Sequence, residues 1–371
     1  MPPHVVVFNN MVTPYTNRLY NELVGRGLNL SVLSCTEQEP DRAWGGSFEA
    51  RYPHRIVPGL SIPLSRSRHT HVNFGIGRAL NAMAPDILFV NGFYPSMLAA
   101  AAWARRNRKL LALTIDGWRE TMPDSPYHRL ARPWLLRNCG AVICCSERGR
   151  AYFREQGFAE DNIFVVPLVP AWDPPTTING YLDRPFSLLW CARINDDAKN
   201  AIFFENVAIS LGRTIPGMKV RVVGSGDAES RMLARLAAAG VEVSHDGYVP
   251  WQAISDVYQQ SRLLLLPSLL EPWGLVCNEA MQCGVPCIVS PHVGAGGELV
   301  KDGENGYVCE LDDQVWVGVA RSVLEDPDGW AAMSARARQD ASRATLAGSA
   351  DRFMTAVDSL SRRSARQEMS R

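Results

Sequence analysis

The chain lacks any apolar run long enough to cross a bilayer. Its longest, around Met97–Ala104 and Leu263–Leu270, fall far short of the roughly 20 residues that a spanning helix needs. The opening MPPHVVVF enters a strand with no basic region ahead of an apolar core, so no secretory leader is expected. Net charge is also absent. The 38 Lys and Arg balance 38 Asp and Glu, leaving no overall field to recruit nucleic acid. The nine cysteines include no C-x-x-C pair, which argues against a zinc site; they read as reduced, mostly buried thiols. No phosphate loop ending in Gly-Lys-Ser/Thr, no G-x-S-x-G elbow and no H-E-x-x-H occurs. These absences suggest a cytoplasmic protein whose membrane contact, where it has one, is peripheral at the inner face.

What is present is a globular composition, 46% apolar and 20% charged, in 371 residues. That length suits two domains. The charge is unevenly spread. The first 183 residues carry 19 basic against 15 acidic side chains, and the remainder 19 against 23. The basic excess gathers in Arg66, Arg68, Arg78, Arg105, Arg106, Arg108 and Lys109. It reads as a solvated surface, or as contact with anionic lipid or a phosphorylated acceptor.

Short β-rich runs alternate with helical patterns. His4–Phe8, Leu30–Ser34, Asp86–Val90, Leu110–Thr114 and Ala141–Cys145 read as strands, and Asn17–Arg26 as the first helix. Pro167–Gly180 then breaks the pattern with four prolines. The alternation resumes with strands at Phe186–Cys191, Lys219–Val223, Val241–Ser244, Arg262–Pro267 and Pro286–Ser290. The expected fold is α/β, with two Rossmann-like, doubly wound parallel-sheet domains facing a central cleft. The expected bounds are 1–170 for the first domain, 171–180 for a linker and 181–348 for the second domain. Residues 349–371 would form a terminal helix crossing back to the first domain. Its Arg-rich end, Arg362–Arg366, reads as a frayed tail.

The most informative segment is Pro267–Cys309. Glu271 falls in a loop before a helix, and Glu279 about two turns inside it. They would lie roughly 10 Å apart along that helix, too far for one coupled dyad. They suit the two ends of an elongated ligand. Between them the amides of Trp273, Gly274, Leu275 and Val276 open the helix, an anion site by virtue of free N–H groups and the helix dipole. Arg193 and Lys199 follow the first strand of the second domain and supply cations for a diphosphate. A diphosphate flanked by hydroxyl-gripping carboxylates describes a nucleotide sugar.

These residues resemble the retaining glycosyltransferases of family 4, the glycosyl transferases group 1, which have the GT-B fold. The resemblance lies in CARINDDAKN (191–200), VVGSGD (222–227), DGYV (246–249), PSLLEPWGLVCNEAMQCGVP (267–286) and GELVKDGENGYV (297–308). It implies an EC 2.4 enzyme moving a sugar from a UDP-, GDP- or dTDP-sugar to an acceptor hydroxyl with retention. The product would be a glycan, a lipid-linked saccharide or a glycosylated metabolite. It implies that Arg193 and Lys199 hold the diphosphate, Glu279 the ribose hydroxyls and Glu271 the transferred sugar. Backbone at Trp273, Gly274, Leu275 and Val276 would bind sugar and phosphates. Gly224 and Gly226 would face the nucleotide, with Tyr248 and Val249 near the base. No divalent metal is obligatory; Asp196 and Asp197 are adjacent and point different ways.

Two departures stand out. Asn9–Asn17 replaces the Gly-rich loop that often follows the family's first strand, and Asp116 stands where a His is often found. Asp116 would orient an acceptor hydroxyl or assist proton transfer, or else cap the helical stretch near Trp118. His69 and His71 read as surface histidines, or as ligands for an acceptor phosphate. Trp118, Trp134 and Trp273 are candidates for stacking on sugar rings, core packing being the default for the first two. An epimerase or phosphorylase on the same scaffold, and a non-catalytic nucleotide-sugar sensor, are the alternative readings.

Overall fold

The computed structural model describes residues 2–39, 48–65 and 68–369, with backbone alone for 63–65, 68 and 364–369. Arg66 and the side chain of Arg68, both in the basic cluster, therefore lie outside the described residues. The chain divides into two compact units, Met1–Ala171 with Thr345–Arg371, and Trp172–Ala344.

In the first unit β1 (Val5–Asn9) leads to α1 (Pro14–Gly25), and β2 (Leu30–Ser34) to the short β3 (His54–Ile56). An antiparallel hairpin, β4 (Gly59–Ser65) and β5 (Arg68–Asn73), stands apart from the main sheet. Then come α2 (Ile76–Met83), β6 (Ile87–Asn91), α3 (Pro95–Arg106), β7 (Leu110–Ile115), α4 (Pro126–Asn138), β8 (Ala141–Cys144), α5 (Glu147–Glu155) and β9 (Ile163–Val165). Seven parallel strands run in the order β3-β2-β1-β6-β7-β8-β9. Alternate residues enter opposite cores, as the two-residue period of a strand requires. Val6, Phe8, Leu88 and Val90 pack with α2 and α3, whereas Val5, Val7, Ile87 and Phe89 pack on the other face.

The second unit holds β10 (Phe186–Cys191), α6 (Ala201–Gly212), β11 (Lys219–Val223), α7 (Glu229–Ala238), β12 (Glu242–His245) and α8 (Ile254–Gln259). It continues with β13 (Ser261–Leu266), α9 (Leu275–Gln282), β14 (Cys287–Val289), β15 (Gly306–Val308), α10 (Asp313–Glu325) and α11 (Pro327–Ala341). Its strand order is β12-β11-β10-β13-β14-β15, all parallel. Part of the proline-rich stretch is fastened to this unit. Arg338 donates to the carbonyls of Pro175 at 2.6 Å and Thr176 at 3.0 Å. The fully buried Arg184 donates to Asn179, Tyr258, Ser261 and Cys283 carbonyls. Burial pushes its guanidinium down to about 10, and the four carbonyls offset the cost of burying it.

The last helix, α12 (Leu346–Met369), covers the Val5–Val7–Phe89 face of the first sheet. It starts before Ser349 and stays helical through the Arg-rich end expected to fray. Phe353, Ala356, Val357 and Leu360 form its buried stripe at helical spacing, and the Phe353 and Phe89 rings lie 5.1 Å apart. Ser349 donates to the Pro167 carbonyl at 2.9 Å, and Arg26 pairs with Asp351 at 2.5 Å. Phe353→Ala should lower unfolding free energy by about 3 kcal/mol, the low end for such a cavity. Denaturant titration measures this; an unchanged midpoint contradicts the packing role.

Candidate active site

The carboxyl ends of β10, β11, β13 and β14 share one edge of the second sheet, where ligands of doubly wound sheets bind. From β10 the chain passes through Ala192–Lys199 into α6. Its course is set by two glycines. A Cβ on Gly224, whose φ is +119°, would collide with the Ala192 carbonyl, and one on Gly226 with the Ile194 carbonyl. The bare backbones lie close enough for Ala192 N to donate to Val223 O at 3.1 Å and Ile194 N to Ser225 O at 2.9 Å. The missing side chains of Gly224 and Gly226 thus face the loop that carries Arg193, itself half-buried.

Buried polar groups hold the rest of that loop. Asn195 accepts the Lys199 amide at 3.0 Å. Asp196 caps the Ile202 amide and takes Arg231 at 2.5 and 2.8 Å; that hydrogen bond holds its carboxyl below the usual range. Glu205, fully buried on α6, takes both Arg231 and Arg235. Asp196 is thereby committed to structure. The Ala198 carbonyl then accepts Leu269 N at 2.8 Å and Leu270 N at 3.2 Å, stitching this loop to the one after β13. The stitch brings Lys199 Nζ onto the Glu271 carboxylate. Their side chains are only 20% and 14% exposed. Sequence reading assigned these two residues to different parts of a ligand; the structure makes them one ion pair.

Beyond Glu271 the backbone doubles against Val293–Ala295. Gly294 N donates to Glu271 O at 3.0 Å and Ala295 N to Trp273 O at 2.8 Å. Gly274, at φ +96°, turns the chain into α9; a residue with a Cβ would be strained there. Among the described residues, the amides of Gly274, Leu275 and Val276 have no acceptor, as the first turn of a helix dictates. Trp273 is 5% exposed, and its indole N–H donates to Asn278 at 2.7 Å. Its ring is core rather than a platform for a sugar.

Glu279 sits half-buried on α9 and accepts the Tyr258 hydroxyl at 2.7 Å. Burial pushes its carboxyl up to about 7, against a lowering by that hydroxyl. The unfolded chain ionises first, so stability falls as pH rises from the ordinary carboxylate range toward 7. Sequence reasoning missed Tyr258, because it lies on α8 and its partner is brought to it only by the sheet. Tyr258→Phe should move the Glu279 titration to higher pH, read by carboxyl-carbon NMR. A shift downward or none contradicts the contact. Tyr248 is exposed and Val249 half-buried; their turn borders the glycines, Gly224 N donating to Gly247 O at 2.7 Å.

In the first unit, Asp116 follows β7 half-buried, and its carbonyl accepts the Cys145 thiol at 3.2 Å. In the turn that follows, Thr121 accepts the Trp118 amide at 2.9 Å. The glycine-poor loop is held by side chains: Asn9 donates to Tyr20 and Asn10 to Glu39, both at 2.8 Å, and Thr13 caps α1. The surface reading of His71 changes here, and core packing of Trp118 and Trp134 holds. His71 is 1% exposed, held between Glu39 at 3.2 Å and Ser61 at 3.0 Å, because β5 turns it inward. Trp118 is buried under the Arg148 guanidinium, and Trp134 packs on the core. No group of three His, Cys, Asp or Glu among the described residues is placed to hold a metal.

Two tandem doubly wound units of this kind define the GT-B class. A model of the glycosyl transferases group 1 matches residues 183–340, and one of the glycosyl transferase 4-like domain matches residues 12–168. The chain belongs to the group 1, family 4 glycosyltransferases. It is 31% identical over 146 residues to D-inositol 3-phosphate glycosyltransferase of Rhodococcus erythropolis, covering 37% of this chain and 33% of that protein. It is 28% identical over 238 residues to glycogen synthase of Mycobacterium tuberculosis, covering 62% and 55%. The matches thus span about a third to a half of these relatives' lengths. Among solved structures, Anabaena HepE in complex with UDP and glucose superposes at a TM-score of 0.75 with 16% identity, covering 96% of this chain and all of that one. That likeness speaks to the fold.

Proposed function

We propose that the protein transfers a sugar from a nucleotide-sugar donor to an acceptor hydroxyl, with retention at the anomeric carbon. The observation that carries this reading is the convergence of Lys199, Glu271, Glu279 and the free α9 amides on one sheet edge. The donor diphosphate takes the amides of Gly274–Val276, with Lys199 and Arg193 opposing its charge. As the sugar leaves, charge grows on the departing diphosphate, and fixed cations and amides stabilise it more than the ground state. Lys199 releases part of its hold on Glu271 to the phosphate, freeing that carboxylate for sugar hydroxyls. Ionised Glu279 accepts the ribose hydroxyls, and Tyr248 and Val249 border the base. Asp116 orients the acceptor hydroxyl. Uracil is the first base to test, since HepE was solved with UDP. No step assigned here calls on a divalent ion.

The test is incubation with UDP-, GDP- and dTDP-sugars and a panel of acceptors, following released diphosphate and the product's anomeric configuration by NMR. Acceptor-dependent release with the donor's configuration kept is the expected result. An inverted product overturns retention, and epimerised donor without acceptor overturns transfer.

A further inference from the structure

The first unit carries a basic face that no step above uses. A cavity of about 600 Å³ lies at the amino-terminal end of its sheet, where Lys109, Gly140 and Asn162 precede or open β7, β8 and β9. Ligands of the sheet's other end, where Asp116 sits, would be remote from it. Arg137 of α4 and Arg363 of α12 complete its charge. A second hollow of about 410 Å³ continues from it across Pro133 and Arg137 to Arg105, Arg129 and Leu130. Among the described residues, no Asp or Glu lines either hollow. Lys109 has Asp86 at 3.6 Å and Arg129 has Asp124 at 3.0 Å. Arg105, Arg137 and Arg363 have no carboxylate partner among the described residues. In the middle of these cations Leu130 is 80% exposed.

An isolated exposed leucine needs no explanation, but one on the rim of a hollow lined by Arg105, Arg129 and Arg137 does. Leu130 and Arg137 lie two turns apart on one side of α4, with Pro133 between them. The helix therefore presents an apolar ridge flanked by cations, the pattern of a surface that lies in a headgroup layer. We propose that this face docks on an anionic bilayer, with lipid phosphates in the arginine-lined hollows and Leu130 at the acyl boundary. No helix among the described residues is long and apolar enough to cross a membrane, and the docking proposed is peripheral. A nucleic acid would meet the same charge. It gains little from Leu130, an aliphatic side chain that gives bases no stacking surface. The inference is independent of the donor assignment.

The test is co-sedimentation of the full chain with neutral phosphatidylcholine vesicles and with vesicles holding roughly one third phosphatidylglycerol. The anionic vesicles should bind, the neutral ones barely, and added salt should weaken the binding. Arg105→Gln with Arg137→Gln should lower partitioning by roughly 25-fold, as expected for two cations near an anionic surface. Leu130→Asp should lower it further. All three side chains are exposed, so melting temperatures should hold; should the double variant melt early, Leu130→Asp alone decides. Equal binding to both vesicle types, or binding undiminished by the variants, overturns the proposal. So does stabilisation by inorganic phosphate, or retention on single-stranded DNA, without vesicle binding.

Discussion

Replacing Lys199 by Ala should lower kcat about 10³-fold, the loss typical of removing one fixed group from charge that develops in a transition state. Lys199 is held for this task by the Asn195 hydrogen bond at its amide and by the Ala198 carbonyl's link to the loop after β13. Its ammonium has one ion-pair partner among the described residues, Glu271. In the variant that carboxylate stays in a mostly buried setting without its cation, so some stability is lost as well. The two effects separate in a cycle with Glu271→Gln. A purely structural role predicts that the double variant recovers melting temperature and turns over as fast as Glu271→Gln alone. A role on the diphosphate predicts recovery of melting temperature with turnover still far below that of Glu271→Gln. Donor Kd should rise less than kcat falls, because the interaction strengthens as the sugar departs. Unchanged kcat in Lys199→Ala contradicts the assignment.

Glu279→Ala should weaken donor binding by roughly 10²–10³-fold, since each hydrogen bond to a charged group contributes about 1.5–3 kcal/mol. Its pH dependence is a sharper test. Burial holds the free carboxyl at about 7. Only the ionised form accepts from both ribose hydroxyls, so binding must expel a proton whenever pH lies below that value. Affinity should therefore climb from pH 6 to pH 7 and level off above. Calorimetry in buffers of different ionisation enthalpy reads the released proton. Glu279→Gln cannot titrate, so its affinity should be low and flat across this range. A wild-type affinity that falls with rising pH contradicts the role.

Much of the second unit was legible because its chemistry is local. Strand, loop acid, Pro-Trp-Gly and a helix with a second acid follow one another within Leu266–Gln282, and the fold keeps them in that order. The apolar stripe Phe353–Val357–Leu360 likewise announces a helix with one buried face. What escaped depends on contacts between distant segments. Tyr258 meets Glu279 because β13 separates their helices by one strand crossing. Lys199 meets Glu271 because a carbonyl at position 198 accepts amides at 269 and 270. Gly224 and Gly226 read as facing the nucleotide; that a Cβ on either would strike the Ala192 or Ile194 carbonyl depends on a loop some thirty residues away. His71 read as a surface residue because nothing in β5 alone reveals Glu39 behind it. Arg184 carries no motif, yet four carbonyls converge on it.

The most direct measurement is calorimetric titration of the unmodified chain with uridine, UMP and UDP, and with the guanosine and thymidine series. If a two-phosphate group docks on the amides at the start of α9 beside Lys199, one base should bind at least about tenfold tighter as its diphosphate than as its nucleoside. Equal binding of nucleoside and diphosphate, or no binding of any diphosphate, would contradict the account.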